Sequence, residues 1–432
     1  MKLKGVTISI VILCLVMLGC ADKGKSGDPD TLTWLTTSGY SPEAPDAGTG
    51  EYLADKVQAF EADHDMNLKM SLHPTNIDEA MARLLERANT GRAPDIAVID
   101  GYVLDRYKEY LQPLDELMEE KGIDKADFLP FAEEVITGND GKIYGLYMST
   151  DTRMLFYNTE LVPEPPQNWD EVVNISLSLQ EDGYEGLVLP LGIGEGTSVT
   201  SLWPLFWGQG GELVNDEGKP TFGEGKNREY MLNVFETINN AVQKGAISKR
   251  MASSGEENGA NGEVSTGKTA MFLGGSWQTA FLQDLLDEDF EKWDVASVPM
   301  IKDAERTSSA GGWVWGIFTD DADKQEAAFD FLVDTFIGEE GMGRFTSIQG
   351  SLPARQSVYD SEYYEPGPFD DAFRESLENE AEVRPASNQY NEISVQLQTA
   401  ISQVVSGSKT PEKALNDAWK IATFGDERSA NQ

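Results

Sequence analysis

Aromatic side chains and a closely spaced acid–base pair are the residues in this sequence best suited to bind a small polar molecule. Trp277 and Trp313 each adjoin a glycine pair, which would let a ligand approach the indole ring closely. Asp151 and Arg153 lie two residues apart on a segment predicted to be extended, so both side chains point the same way. A sugar ring, with an apolar face and a polar rim, suits such a mixed pocket. Each pattern also has a purely structural alternative. Each tryptophan could be buried in the core, and Asp151 and Arg153 could form a surface ion pair.

Residues 262–269 (GEVSTGKT) satisfy the phosphate-binding loop pattern letter for letter. A phosphate site of this type needs a strand before the loop and a helix after it, so that backbone N–H groups converge on the phosphates. Here a polar segment precedes the pattern, and a strand-like run stopped by glycines follows it. We therefore predict that this segment does not bind nucleotides.

Hydrolytic chemistry has little support in the sequence. The only histidines are His64 and His73, and the only cysteines, Cys14 and Cys20, lie within the first twenty residues. A histidine-based triad or a metal site built from several histidines is therefore disfavoured, and the body of the chain has no possible disulfide. Pairs of carboxylates suited to glycoside hydrolysis occur by chance among 74 acidic residues, so an exported hydrolase or lyase stays open.

Charge and length narrow the class of protein further. Lys and Arg total 34 against 74 Asp and Glu, a formal net charge of −40. Such a field repels phosphate backbones, so nucleic-acid binding is not expected. The acidity fits either a strongly solvated surface or adaptation to a saline medium. With 432 residues the chain exceeds one ordinary core, and two lobes are the default expectation.

The N-terminus carries an export signal. Lys2 and Lys4 precede an apolar run that ends at Gly19 and Cys20. Residues 1–19 are predicted to be a signal peptide, and the polar residues 20–30 a flexible tether. The cysteine at the break makes the segment resemble a bacterial lipoprotein signal, which implies acylation of Cys20. An uncleaved anchor helix is the alternative.

The elements predicted after the tether indicate an α/β lobe with a mostly parallel sheet. Strands are predicted at residues 31–36 and 94–99, and helices at 50–63 and between Asn76 and Gly91. Ligands bind beyond the carboxyl ends of strands in such sheets. The turn at residues 36–38 and the residues just after Ile99 are therefore site candidates.

A second unit is predicted to begin near residue 150. Its strands and helices are expected at residues 154–158, 169 onward, 235–242, 293–298, 312–318, 324–336 and 410–423. Residues 252–268 are rich in Gly, Ser and Glu and lack an apolar period, so they are predicted to form a mobile surface loop.

With these residues in view, the chain resembles the bacterial extracellular solute-binding proteins of family 1, the maltose-binding-like receptors of ABC sugar importers. The resemblance is carried by an ordered series of short segments through the chain. They are residues 91–96, 111–117, 140–146, 155–158, 165–171, 267–271, 275–277, 311–315, 350–355 and 410–415, together with Asp151.

The resemblance implies a two-lobe α/β fold of the type II periplasmic-binding-protein kind, with the ligand cleft between the lobes. It places residues 31–149 and 299–355 in an N-terminal lobe and residues 150–298 and 356–432 in a C-terminal lobe, with crossings near 149–151, 298–300 and 355–357. Hinge closure on the ligand would deliver a mono- or oligosaccharide to the permease subunits of an ABC transporter.

The same resemblance implies no enzymatic activity and no cofactor or metal. It also implies an extracytoplasmic monomer, held at the membrane by a palmitate-type lipid anchor on Cys20.

The resemblance also implies the ligand-binding residues. Asp151 matches an acceptor for sugar hydroxyls, Trp277 an aromatic platform, Gly312 and Trp313 a binding loop, and Arg355 a polar contact. Arg153, Asp100, Tyr102, Trp207 and Tyr390 complete the predicted set. An acidic insert around residues 255–262 departs from the family pattern. A binding module for a non-sugar ligand, such as a peptide or a polyol phosphate, is the remaining alternative. Such a module would show more cationic residues in the cleft.

Overall fold

A computed structural model describes residues 28–429. The predicted signal peptide, Cys20 and most of the tether lie outside these residues. The strands of the described chain are β1 (Thr31–Thr36), β2 (Asn67–Leu72), β3 (Ile96–Asp100), β4 (Leu146–Asp151), β5 (Arg153–Asn158), β6 (Glu185–Val188), β7 (Thr269–Gly275), β8 (Trp293–Ala296), β9 (Ser308–Ile317), β10 (Leu352–Pro353) and β11 (Ala381–Val383).

The α-helices of the same residues are α1 (Ala47–Asp63), α2 (Ile77–Asn89), α3 (Asp115–Glu120), α4 (Pro130–Ile136), α5 (Trp169–Gln180), α6 (Trp203–Trp207), α7 (Gly225–Lys244), α8 (Gly259–Val264), α9 (Gln278–Leu286), α10 (Ala322–Leu332), α11 (Glu339–Gln349), α12 (Asp370–Asn379), α13 (Tyr390–Val405) and α14 (Pro411–Ser429). Among the described residues, no helix has the length and apolarity needed to cross a membrane.

The first lobe is built on the larger sheet, whose strand order is β2-β1-β3-β9-β4-β10, with β11 added beside β9. β1 runs parallel to β2 and β3, as predicted. β9 runs antiparallel to both β3 and β4, so the sheet is mixed rather than mostly parallel. β9 follows a segment whose residue Met300 still belongs to the core of the second lobe.

Local signals in the sequence explain the first elements of this lobe. β1 buries Leu32 and Trp34 on one face. The Asn76 side chain accepts a hydrogen bond from the backbone N–H of Glu79 at 2.9 Å, which caps α2 as predicted. Gly91 follows the helix with φ +64°, a conformation that glycine adopts readily.

The second lobe is built on a four-stranded sheet with the order β6-β7-β5-β8. β5 is antiparallel to β7 and β8, while β6 is parallel to β7. Phe156 and Phe272 stack at 4.6 Å between ring centroids, and Trp203 and Phe235 are buried in the same core. This core is separate from that of the first lobe.

The chain passes between the two sheets more than once. It changes sheet between Asp151, the end of β4, and Arg153, the start of β5. Met300 still belongs to the second core, and β9 joins the first sheet from Ser308. Val358 belongs to the first core, a few residues beyond the predicted third crossing. The division of the chain into domains at the predicted boundaries stays a prediction.

The segment that matches the phosphate-binding loop pattern has the wrong order of elements for a phosphate site. Helix α8 (Gly259–Val264) includes the first three residues of the pattern, and the last residue of the pattern, Thr269, begins strand β7. A helix N-terminus after the loop, which would face the phosphates, is therefore missing from this described segment.

Candidate functional site

A cavity of about 380 Å³ lies between the lobes and is lined by residues from both. The first lobe contributes the segments that follow the carboxyl ends of β1 and β2, Asp100 at the carboxyl end of β3, and part of β9, as expected from the strand directions. The second lobe contributes three segments around residues 195–199, 256–258 and Trp277. We call this cavity the cleft.

Six of the predicted ligand-binding residues line the cleft. They are Asp100, Asp151, Arg153, Trp277, Gly312 and Trp313. The structure thus brings together residues that are up to 213 positions apart in the sequence. Their roles in binding stay predictions.

Arg153 is the centre of a first ion cluster, the Arg153 cluster, which consists of Asp151, Arg153 and Glu257. The guanidinium Nη1 pairs with Asp151, and Nε donates to Glu257 Oε1 at 2.8 Å. Thr200 donates its hydroxyl hydrogen to the same Glu257 oxygen. Burial raises the pKa of Asp151, whereas the adjacent Arg153 acts to lower it. The predicted Asp151–Arg153 pair is therefore a buried cleft feature rather than a surface ion pair.

Trp277 presents a half-buried indole to the cleft. The guanidinium carbon of Arg153 lies 5.2 Å from the centroid of the ring, within cation–π range. The indole Nε1 donates to Asn258 Oδ1 at 3.0 Å, which fixes the orientation of the ring. A β-carbon at Gly275 would lie 1.8 Å from a ring carbon of Trp277. This glycine therefore makes room for the platform itself.

Gly312 and Trp313 lie on β9 at the first-lobe wall. Trp313 packs edge-on against Tyr40 at 5.9 Å between centroids. Gly312 has φ +146°, and a β-carbon there would meet the Ser149 carbonyl oxygen at 2.2 Å. The glycine pairs were predicted to let a ligand approach. At Gly275 and Gly312, however, the space is taken by protein atoms, so packing accounts for both glycines.

A second ion cluster, the Arg384 cluster, joins the two lobes. Arg384 donates to both carboxylate oxygens of Asp100 in the first lobe, at 2.6 and 3.2 Å. Its Nη1 lies 3.4 Å from Glu195 Oε1 in the second lobe. The Arg384 guanidinium also stacks 4.0 Å from the centroid of Tyr102. The side chains of Asp100, Glu195 and Arg384 are each 6% exposed or less.

Polar groups behind Glu195 hold its carboxyl group in place. Tyr390 donates its hydroxyl hydrogen to Oε1, and Ser394 donates to Oε2 at 2.7 Å. Trp203 Nε1 in turn donates to the Tyr390 hydroxyl oxygen at 2.7 Å. Burial raises the pKa of Glu195 to about 7, although Arg384 opposes the shift.

Four predicted residues do not line the cleft. Tyr102 and Tyr390 lie behind its wall, packed edge-to-face at 5.0 Å. Trp207 packs against Trp203 in the second lobe, at 6.2 Å between centroids. Arg355 pairs with Asp127 at 2.8 Å and donates to a backbone carbonyl of the first lobe. The structure thus places these four side chains outside the cleft lining, in packing or pairing within the protein, and a direct role in binding stays a prediction for them.

Sequence reasoning missed four charged cleft residues. Arg384 and Glu195 lie in segments without a recognisable motif. Glu256 and Glu257 lie in the segment predicted to be a mobile surface loop. This segment instead contains α8 and forms part of the cleft wall, which corrects that prediction. The acidic insert, which departs from the family pattern, was the available signal.

His73 also lines the cleft. Its Nε2 lies 3.0 Å from the Val98 carbonyl oxygen, and burial lowers the pKa of the imidazole. Within residues 28–429, no three acidic, histidine or cysteine side chains are grouped in a way that could hold a metal ion.

Two lobes that share one chain and enclose a mixed aromatic and charged cleft define a binding protein. Residues 56–368 match the family described as bacterial extracellular solute-binding protein, and because this match spans more than half of the sequence, the chain belongs to that family. The resemblance predicted from the ordered motifs is confirmed.

Known relatives cover most of the chain at low identity. A maltooligosaccharide ABC transporter solute-binding lipoprotein of Streptococcus pneumoniae is 22% identical over 429 residues, covering 95% of this chain and 94% of the relative. A protein of Sinorhizobium fredii, named as a probable amino-acid ABC transporter periplasmic-binding protein, is 26% identical over 314 residues, covering 69% and 68%. Both relatives are named as binding proteins of ABC transporters.

Among solved structures, maltose-bound MalE3 of T. maritima superposes with a TM-score of 0.78 at 20% identity, covering 91% of this chain and 99% of that one. This similarity establishes the fold, and the predicted type II periplasmic-binding-protein architecture is confirmed.

Proposed function

We propose that this protein is the sugar-binding component of an ABC-type importer. It binds a mono- or oligosaccharide in the cleft, and closure of the hinge delivers the sugar to the permease. One observation carries the proposal. Trp277, Trp313 and residues of the Arg153 and Arg384 clusters line the same cavity between the two lobes. Indole rings suit the apolar face of a sugar, while paired charges suit its hydroxyl groups.

The names of similar proteins support a sugar ligand. A Streptococcus pneumoniae relative is named for maltooligosaccharides, and the T. maritima structure contains maltose. The Sinorhizobium fredii relative is named for amino acids. We therefore include amino acids as the competing ligand class in the test.

Equilibrium titration with a panel of sugars and amino acids, read by tryptophan fluorescence, tests this proposal. We expect saturable binding of at least one sugar and recovery of the sugar unchanged. Trp277→Ala should weaken binding. Trp419→Phe should not, because Trp419 packs against Phe222 in the second lobe, away from the cleft. Saturation by an amino acid without any sugar, or conversion of the sugar to product, would refute the proposal.

We also propose that residues 1–19 are removed and that Cys20 is acylated, which anchors the protein to the extracytoplasmic face of a membrane. A short positively charged end, an apolar run and Cys20 support this proposal. Mass spectrometry of the mature protein from the membrane fraction tests it. The expected result is a diacylglyceryl or palmitoyl modification on Cys20. An unmodified Cys20 in an uncleaved chain would contradict it.

A further inference from the structure

We propose that the ligand carries a positively charged nitrogen, and that it is an amino sugar whose ammonium group lies beside Glu256 and Trp277. This inference rests on the proposed function because it takes the ligand to be a sugar. It goes further by stating the charge of the ligand and the position at which that charge is recognised.

The charge balance of the cleft is the first argument. Five carboxylates line the cavity: Asp100, Asp151, Glu195, Glu256 and Glu257. The cations that line it are Arg153 and Arg384. The lining therefore carries an excess of three negative charges when every group is ionised.

Arg153 and Arg384 cannot supply the positive charge that would balance this excess. Arg153 is already paired with Asp151 and Glu257, and Arg384 with Asp100 and Glu195. Each guanidinium is thus bonded to a carboxylate on two sides. Glu256 has no side-chain hydrogen bond or ion pair within the described residues, although its carboxylate lines the same cavity.

The negative charge in the cleft differs from the negative charge on the surface of the protein because the cleft carboxylates are partly buried. A solvated surface carboxylate is stabilised by water and salt, whereas a carboxylate in an enclosed cleft loses hydration and needs a partner. Burial, followed by the charges of Glu257, Asp78 and Glu195, raises the pKa of Glu256 to about 8. With a neutral sugar bound, Glu256 would stay largely protonated at pH 7. An ammonium group beside it would favour the ionised carboxylate and form a charge-assisted hydrogen bond with it.

Trp277 supplies the second half of the recognition site. Its half-buried ring lines the same cavity as Glu256, and an indole ring attracts a cation placed over its face, as the Arg153 guanidinium does at 5.2 Å. Asn258, which follows Glu256 and Glu257, holds the indole Nε1. The acidic insert therefore both orients the platform and contributes the unpaired carboxylate.

Matched sugars that differ at a single carbon test the inference. The full-length protein is titrated at pH 7 with glucosamine, N-acetylglucosamine and glucose, and with the corresponding β1,4-linked dimers. Spermidine serves as an amine that is not a sugar. The titrations are repeated with Glu256→Gln and with Glu229→Gln. Glu229 is an exposed residue of α7, outside the cleft lining, and its replacement removes the same charge.

We expect the wild-type protein to bind an amino sugar about tenfold or more tightly than its acetylated and hydroxyl counterparts, as a charge-assisted hydrogen bond provides. Glu256→Gln should abolish this preference while retaining binding of the hydroxyl sugar, and Glu229→Gln should keep the preference. Equal affinity for the three matched sugars would overturn the inference and leave the proposed function standing. Saturation by spermidine without binding of any sugar, or no binding of any sugar, would overturn both.

Discussion

Replacing Arg384 with glutamine should destabilise the protein strongly and in a pH-dependent way. The Arg384, Asp100 and Glu195 side chains are 6%, 6% and 2% exposed, so the substitution leaves two carboxylates buried without their cation. Removal of one partner from a buried ion pair costs about 3–5 kcal/mol. We expect a loss in this range at pH 8.

The pH dependence follows from Glu195. Its folded pKa, about 7, is raised mainly by burial and is partly lowered by Arg384. A carboxyl group with a raised folded pKa contributes stability that is fully present below its unfolded pKa and is lost as the pH rises through the folded value. Without Arg384 the folded pKa rises further, so Glu195 can stay protonated at pH 6. The difference in the free energy of unfolding between Arg384→Gln and wild type should therefore become smaller as the pH falls from 8 to 6.

Urea unfolding followed by tryptophan fluorescence at pH 6 and pH 8 measures both effects. Arg83→Gln is the control, because Arg83 forms an exposed ion pair with Glu79 on α2. Exposed pairs contribute about 0.2–1 kcal/mol. Similar losses for Arg384→Gln and Arg83→Gln at pH 8 would refute the view that Arg384 neutralises a buried cluster.

Three other substitutions have defined outcomes. Trp277→Ala should weaken sugar binding about tenfold or more in a fluorescence or calorimetric titration, because the half-buried ring lines the cleft. The urea midpoint should change little. Wild-type affinity in this variant would contradict the assignment of Trp277 as a sugar platform. Asp151→Ala should weaken binding and also lower the urea midpoint, since Arg153 loses a buried partner; an unchanged midpoint would argue against this pairing. Gly312→Ala should lower the free energy of unfolding in urea by at least about 2 kcal/mol, because φ is +146° and the new methyl group would overlap the Ser149 carbonyl. An unchanged free energy of unfolding would contradict the packing described at this glycine.

Local patterns predicted much of the fold and part of the cleft. The cap at Asn76, the glycine at Gly91 and the apolar runs at β1 and β3 act within a few residues, so the sequence reveals them directly. Knowledge that β3 ends at Asp100 was enough to place this residue at the edge of the sheet where ligands bind.

Contacts between residues far apart in the sequence could not be predicted from local patterns. Arg384 meets Asp100 across 284 positions in the sequence, and no local pattern marks either as a partner of the other. No local pattern in β9 indicates that it runs antiparallel to β3 and β4. Glu256 and Glu257 lie among glycines and serines, and the absence of an apolar period hid their place in the cleft wall.

Within the acidic insert at residues 255–262, Glu257 pairs with Arg153 beside the crossing from β4 to β5, whereas Glu256 forms no such pair. Arg384 connects the lobes, so a change there would alter the resting geometry together with the affinity. Glu256 and Asn258 lie in the second-lobe wall of the cleft, outside the Arg384 cluster. Under the proposed function, we therefore expect relatives that bind other ligands to differ first at these two positions, and substitutions intended to change ligand specificity should begin there.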